Sequence, residues 1–185
     1  MALRWILCLE IGNVEGHQNL RALPPRTNGR IELRGKLRMI VDTTIHSFSL
    51  WHHFAHKPGF DAIAFAKLAR SMDFQGISLS LNDANYRHLG GREIERMETL
   101  RAFMKTHEMS LEIDTSGTTP AHMSEMLNVA HRLGATSLRT YTKHIGTVQQ
   151  MIQKTVVDLS EVTGEACDLD VIIVLENHED FTGSE

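Results

Sequence analysis

The segment Val171–Glu185 reads VIIVLENHEDFTGSE. An apolar run of four β-branched residues and Leu175 leads straight into a carboxylate, an amide and an imidazole: Glu176, Asn177 and His178. Thr182, with Glu185 three residues on, is the sequence form of a capping box, which opens a helix. A strand that ends in polar groups and is followed by a capped helix is one step of a β-α alternation.

The same step recurs upstream. Strand patterns fall at Ile40–Ile45, Gly76–Leu81, Leu111–Asp114, Ser137–Tyr141 and Val171–Leu175. Helical patterns lie between them. Phe60, Ile63, Ala64, Leu68 and Met72 form the first stripe, with Asp61 placed to cap it. Ile94, Met97, Leu100 and Met104 form the second. The third opens at Thr119-Pro120, a cap followed by proline at the first helical position, carries Met123, Met126, Leu127 and Ala130, and closes near Gly134. The fourth runs over about residues 147–166 with Val148, Met151, Ile152, Leu159 and Val162 as its stripe. A strand about every 30 residues is the βαβ rhythm of a parallel sheet, so the fold class is α/β. The strands read as apolar runs rather than as clean alternation, which predicts a sheet covered on both faces. Two architectures fit this pattern: an open doubly wound sheet, or part of a parallel (β/α) barrel of the TIM type.

Composition narrows the function classes. The 185 residues are 42% hydrophobic and 23% charged, values typical of a globular domain. A net charge of −4 gives no electrostatic reason to expect nucleic acid or an acidic membrane as a partner. The start, MALRWILCLEIG, has an apolar core broken by Glu10 and no small-residue cleavage site, so it does not read as a secretion signal. No window approaches the ~20 apolar residues of a membrane helix. Cys8 and Cys167 form no ligand or disulfide pattern, and a reducing cytoplasmic setting is the expectation. Residues 1–38 differ from the rest: they hold Pro24-Pro25 and seven Arg or Lys against three Glu, without a sustained period. They read as an irregular or disordered extension before a domain over residues 39–185.

Neither GxGxxG nor a GxxxxGKS/T loop occurs, which argues against a nucleotide site. Polar residues gather instead where strands end: His46 and Ser47, Asn82 and Asp83, Asp114 to Ser116, Tyr141 to Lys143, and Glu176 to His178. In a barrel these positions share the C-terminal rim, where a small polyol or sugar would bind. Glu176 follows a strand expected to be buried, so its carboxylate must be paired, protonated or bound to a cation. Arg139, inside the fourth strand, is its natural partner, or a contact for a sugar oxygen. Asp114 reads as an acceptor for the backbone of the following turn, with a ligand hydroxyl as the alternative, and Asn82 and Asp83 as turn formers. The stretch HSFSLWHHFAHKPGF (residues 46–60) reads as a histidine-rich loop. His52 and His56 have i, i+4 spacing, yet without cysteine or HExxH they make a weak zinc signal. Phe48 and Trp51 are placed to fold over a ligand, with core packing as the alternative, foremost for Phe54.

Three stretches carry a resemblance. LARSMDFQGISLSL, AHRLGATSLRTY and VIIVLENHEDFTGSE together resemble the xylose isomerase-like TIM-barrel family, also called the sugar phosphate isomerase/epimerase family, over about residues 39–185. The resemblance implies the first part of a barrel, about five of eight βα units, ending as helix five begins. It also implies a divalent metal, manganese or magnesium, for which Glu176 is a ligand and a catalytic carboxylate. The further ligands of the family lie on strands beyond the fifth. His46, Phe48, Trp51, Arg139 and His178 then become the substrate-contacting residues of the rim. The implied activity is isomerisation or epimerisation of a sugar or sugar phosphate by proton transfer next to a carbonyl. Dehydration of an inositol-type polyol, or a non-catalytic half-barrel binding or assembly module, are the alternatives. On this view the chain alone is inactive, and its exposed barrel edges invite homo-oligomerisation.

Overall fold

The computed structural model describes residues 42–177. The expected extension over residues 1–38, the start of the first strand at Ile40, His178 and the Thr182–Glu185 cap lie outside them. The elements run β1 (Thr44–His46), α1 (Trp51–His56), α2 (Ala62–Ser71), β2 (Gly76–Ser80), α3 (Ile94–Thr106), β3 (Ser110–Asp114), α4 (Pro120–Leu133), β4 (Ser137–Thr140), α5 (Val148–Asp168) and β5 (Ile172–Leu175). Among the described residues no helix is long and apolar enough to cross a membrane.

Local chemistry sets the helix ends. Asp61 Oδ1 accepts from the backbone N–H groups of Ile63 and Ala64 at 3.1 and 3.0 Å, so two of the first-turn donors of α2 are satisfied. Pro120 occupies the first position of α4, where its missing N–H is no loss, and Gly134 ends that helix at φ 73°, a left-handed conformation that glycine adopts without strain. Thr147 and Gln150 form a reciprocal capping box at the start of α5.

Three stripe expectations shift. On α3, Met97, Leu100 and Met104 are buried but Ile94 is 52% exposed. On α2 the buried face is Ala62, Phe65, Ala66 and Ala69, beside the expected one, and Met72 is 55% exposed. Small alanines carry little hydrophobic signal, yet they let the helix approach the sheet closely. On α5, Met151 and Val162 are buried while Val148 and Ile152 face outward. The segment read as a histidine-rich loop is helical: a 3₁₀ turn over Ser47–Leu50 runs directly into α1. It is too short for a helical period to show in the sequence.

All five strands are parallel and lie in the order β1-β2-β3-β4-β5. A parallel crossover is almost always right-handed, so stepping always in one direction places every connecting helix on one face. Consecutive helices pack on one another accordingly, α2 on α3, α3 on α4 and α4 on α5. This is the winding of a (β/α) barrel; a doubly wound sheet reverses direction at a switch point.

One-sided covering also corrects the expected strand pattern. The middle strands alternate cleanly. Ile77, Leu79, Leu111, Ile113 and Leu138 face the helices and are buried. The intervening positions, Ser78 and Ser80, Glu112 and Asp114, and Ser137 and Arg139, form a polar opposite face, because that face lines a cavity rather than a second helix layer. Gly76 sits on this face between Thr44 and Ser110, its register partners, and a Cβ there would collide with the Ser110 hydroxyl. The expectation that Glu176 follows a buried strand is corrected as well. β5 pairs only with β4 among the described strands, and Ile172 is 55% exposed.

Asp61 also reaches across to α3, where Oδ2 meets Arg96 at 2.6 Å. Replacing Asp61 by Ala removes cap and ion pair together and should cost about 2 kcal/mol in urea denaturation, while Asp61→Asn, which keeps the cap, should cost about half that.

Candidate functional site

The alternation SLEID puts Glu112 and Asp114 two residues apart, hence on the same face of β3. Register then brings Asp114 opposite Arg139 on β4, and Arg139 opposite Val174 on β5, two residues before Glu176. A guanidinium is thus surrounded by three carboxylates drawn from two neighbouring strands. Arg139 Nη1 donates to Glu176 Oε2 at 2.8 Å, Nη2 lies 3.1 Å from Asp114 Oδ1, and Nε faces Glu112 Oε1 at 3.6 Å. The Arg139 and Glu112 side chains are largely buried, that of Asp114 is nearly inaccessible, and that of Glu176 is 34% exposed.

The two carboxylates of β3 have further support. Ser78 Oγ donates to Glu112 Oε1 at 2.8 Å, and Ser137 Oγ to Oε2 at 3.4 Å. Asn82 Nδ2 donates to Ser80 Oγ at 3.0 Å and to Asp114 Oδ2 at 3.4 Å. These side chains other than Ser80 and Ser137 line, with Thr44, His46, Phe48 and Tyr141, an open cavity of about 510 Å³ at the C-terminal ends of the strands.

His46 has a defined tautomer. Its Nδ1 accepts the backbone N–H of Phe48 at 3.1 Å, so the single proton of the neutral ring resides on Nε2. That Nε2 lies 3.4 Å from Asp114 Oδ2 but lacks the geometry of a hydrogen bond. Among the described residues His46 Nε2 and Arg139 Nε are buried nitrogens without a hydrogen-bond partner, and both belong to this cavity. Phe48 stacks on the His46 ring at 5.4 Å between centroids and is half exposed at the rim.

The rim is held from behind by a second polar pair. Ser47 Oγ accepts from Ser80 N–H at 3.0 Å and lies 2.9 Å from His88 Nδ1. The His88 ring stacks on Phe54 at 4.3 Å, so Phe54 belongs to packing. Burial pushes the His88 imidazole below the ordinary histidine range, and the neighbouring Arg87 charge adds to this. Burial likewise lowers His122, whose Nε2 meets the Thr115 hydroxyl at 2.9 Å.

Of the side chains singled out from sequence, His46, Phe48, Arg139 and Glu176 meet at one cavity. Trp51 does not line it. It is 50% exposed on α1 and packs on His52. His178 lies outside the described residues. Asp114 is no turn acceptor: its carboxylate faces Arg139, Asn82 and His46 inside the cavity, because β3 extends through it. Asn82 likewise points into the cavity, whereas Asp83 caps its turn by accepting from Asn85 and Arg87 N–H. Glu112 and Ser78 escaped the sequence reading; a carboxylate framed by Leu111 and Ile113 at strand period was the available signal.

Neither a protein-family model nor a curated protein matches the sequence. Solved structures do match in fold. D-psicose 3-epimerase in the presence of D-fructose superposes with a TM-score of 0.56 at 13% identity, over 72% of this chain and 51% of that one. The IOLI protein with a binding zinc atom gives 0.56 at 11% identity, over 73% and 51%. A D-tagatose 3-epimerase-like protein gives 0.56 at 15% identity, over 77% and 55%. The chain shares the parallel β/α fold of these TIM barrels. It spans about half the length of these TIM barrels. In this fold ligands bind at the C-terminal strand ends, where the cavity lies.

The donor set of the cavity is rich in oxygen and net negative, which suits a hard divalent cation. Among the described residues, however, no group of three His, Cys, Asp or Glu side chains is arranged to hold one. Glu176 therefore fits as a single ligand and not as part of a closed centre here, and one of its oxygens is engaged by Arg139.

For a histidine held low by burial, the unfolded chain takes up the proton first, so stability is fully present above the ordinary value of about 6.5 and is lost as pH falls below it. Denaturant titrations at neutral pH and about two units lower should show a lower unfolding free energy at the acid end. His88→Asn, which retains an acceptor but does not titrate, should be less stable at neutral pH and lose less on acidification.

Proposed function

We propose that the chain supplies part of the active site of a divalent-metal-dependent isomerase or epimerase acting on a sugar, phosphorylated or not. The observation that supports this best is the convergence of His46, Asp114, Arg139 and Glu176 on one cavity at the C-terminal strand ends of a TIM-barrel sheet. The fold is shared with two structures described as sugar epimerases or similar to them, and with one described with a zinc atom.

In this reading Glu176 holds the cation through a carboxylate oxygen, and a bound manganese or magnesium ion would polarise a sugar carbonyl and its neighbouring hydroxyl. The chain's own residues orient the substrate. The proton on His46 Nε2 is a fixed hydrogen-bond donor to a sugar oxygen, and the Asp114 and Glu112 carboxylates accept from sugar hydroxyls. Arg139 sets the position of Glu176 through the contact at Nη1. Phe48 shields the rim from water, and His178 remains a proposed contact to the substrate. The remaining metal ligands come from outside the described residues, so turnover by this chain alone is not expected. Exposed apolar side chains on β5 and α5, Ile172, Val148, Ile152 and Val156, make self-association through these edges part of the proposal.

Manganese titration followed by electron paramagnetic resonance tests the assignment. The chain should bind Mn²⁺ weakly, and Glu176→Gln should weaken binding at least about tenfold. Unchanged binding in that variant, or ketose interconversion by the chain alone with manganese, would contradict the proposal.

A further inference from the structure

His46 and Phe48 reach the cavity from the start of the 3₁₀ turn that follows β1. The residue between them, Ser47, is fully buried and points away from the cavity toward the end of β2. Its Oγ has two partners among the described residues: it accepts the Ser80 N–H at 3.0 Å and lies 2.9 Å from His88 Nδ1.

Proton count fixes the roles at the second contact. A hydroxyl carries one proton, and the buried Ser47 proton finds its acceptor at His88 Nδ1. Nδ1 is therefore bare, and the neutral His88 ring carries its proton on Nε2. The contact exists in this form only while His88 is neutral. A proton on Nδ1 would set two donors against each other and turn the Ser47 hydroxyl toward a site with no other acceptor. A buried O–H left unpaired costs its full desolvation.

The surroundings of the ring resist that proton too. His88 is 6% exposed, stacked on Phe54 at 4.3 Å and met edge-on by Phe48 at 5.3 Å. Burial holds the imidazole below its ordinary range; Arg87 and His46 add to this, and Asp83 and Asp114 oppose it. Phe48 also lies parallel to the His46 ring at 5.4 Å. The place of His88 is thus passed to the cavity wall twice, through the Ser47 hydroxyl and through the Phe48 ring.

We propose that His88 is a positioning residue: while neutral it accepts from Ser47 and holds the turn, with His46 and Phe48, against the end of β2, and on protonation it releases them before the sheet unfolds. The cavity wall is then ordered at neutral pH and loosened in acid, whatever cation or organic ligand the cavity takes.

Amide hydrogen exchange of the full chain followed by NMR tests this, with His88 protonation read from its ring nitrogens in the same sample. The reporters are the Ser80 amide, bonded to Ser47 Oγ, and the Trp51 amide, bonded to the Phe48 carbonyl. Between neutral pH and about two units below it, their protection should fall at least about tenfold as His88 takes up its proton, while the amides of β3 and β4 keep theirs. His88→Asn, which keeps an acceptor and does not titrate, should retain the protection over the whole range. Ser47→Ala should show low protection of Trp51 already at neutral pH and no pH step.

A fall in protection at a pH other than that of His88 protonation, or a step that survives in His88→Asn, overturns the role of His88. Wild-type protection of Trp51 in Ser47→Ala overturns transmission through the hydroxyl. Simultaneous loss in β3 and β4 shows global unfolding and overturns local release. If His88→Asn does not fold, the wild-type midpoints and Ser47→Ala decide between these outcomes.

Discussion

The guanidinium of Arg139 is the constraint on which the inner face of this sheet depends. Glu112, Asp114 and Glu176 approach one another from β3 and the end of β5, and each would repel the others without a cation between them. Carboxylates are tolerated at such low exposure only when paired and hydrogen-bonded. Arg139 contributes the charge, and the planar spread of its nitrogens lets it face three carboxylates in three directions. Serine hydroxyls complete Glu112: Ser78 of β2 donates to the Oε1 that Nε faces, and Ser137 of β4 to Oε2. The polar network and the strand register therefore specify one another. A slip of one residue would turn Glu112 and Asp114 into the apolar layer under the helices.

Much of the architecture was legible in the sequence because it is written in period and punctuation. The caps at Asp61 and Thr147, the Pro120 start and the Gly134 stop are local chemistry, and they mark helix ends independently of what the helices pack on. Strand order is not local. Nothing in the periodicity separates a barrel from a doubly wound sheet; the resemblance of three stretches did so, and the sequential order of five parallel strands now does so geometrically.

The site was legible only at its edges. His46 and Glu176 stand at strand ends, where polar residues announce a rim. Arg139 is a charge inside a strand and draws attention for that reason. Glu112 and Asp114 are also charges inside a strand, but Asp114 falls at its end, where it reads as part of the turn, and Glu112 is hidden between Leu111 and Ile113. The error has one source. The apolar runs imply strands covered by helices on both sides, whereas one face is open to a cavity and can therefore carry charge. Trp51 was drawn toward the site by its aromatic neighbours, yet the helical turn after His46 carries it to the outside.

Arg139 acts as the shared counter-charge of three carboxylates. The most direct test of that role is the unfolding free energy of Arg139→Met in denaturant at neutral pH, alone and combined with Glu112→Gln and Asp114→Asn. The single variant should be destabilised by about 3–5 kcal/mol, since it leaves buried carboxylates facing one another without a cation. Neutralising two of them should restore a large part of that loss. An Arg139→Met protein as stable as the wild type, or a loss that the two neutralising changes fail to relieve, would show that the carboxylates do not depend on this guanidinium.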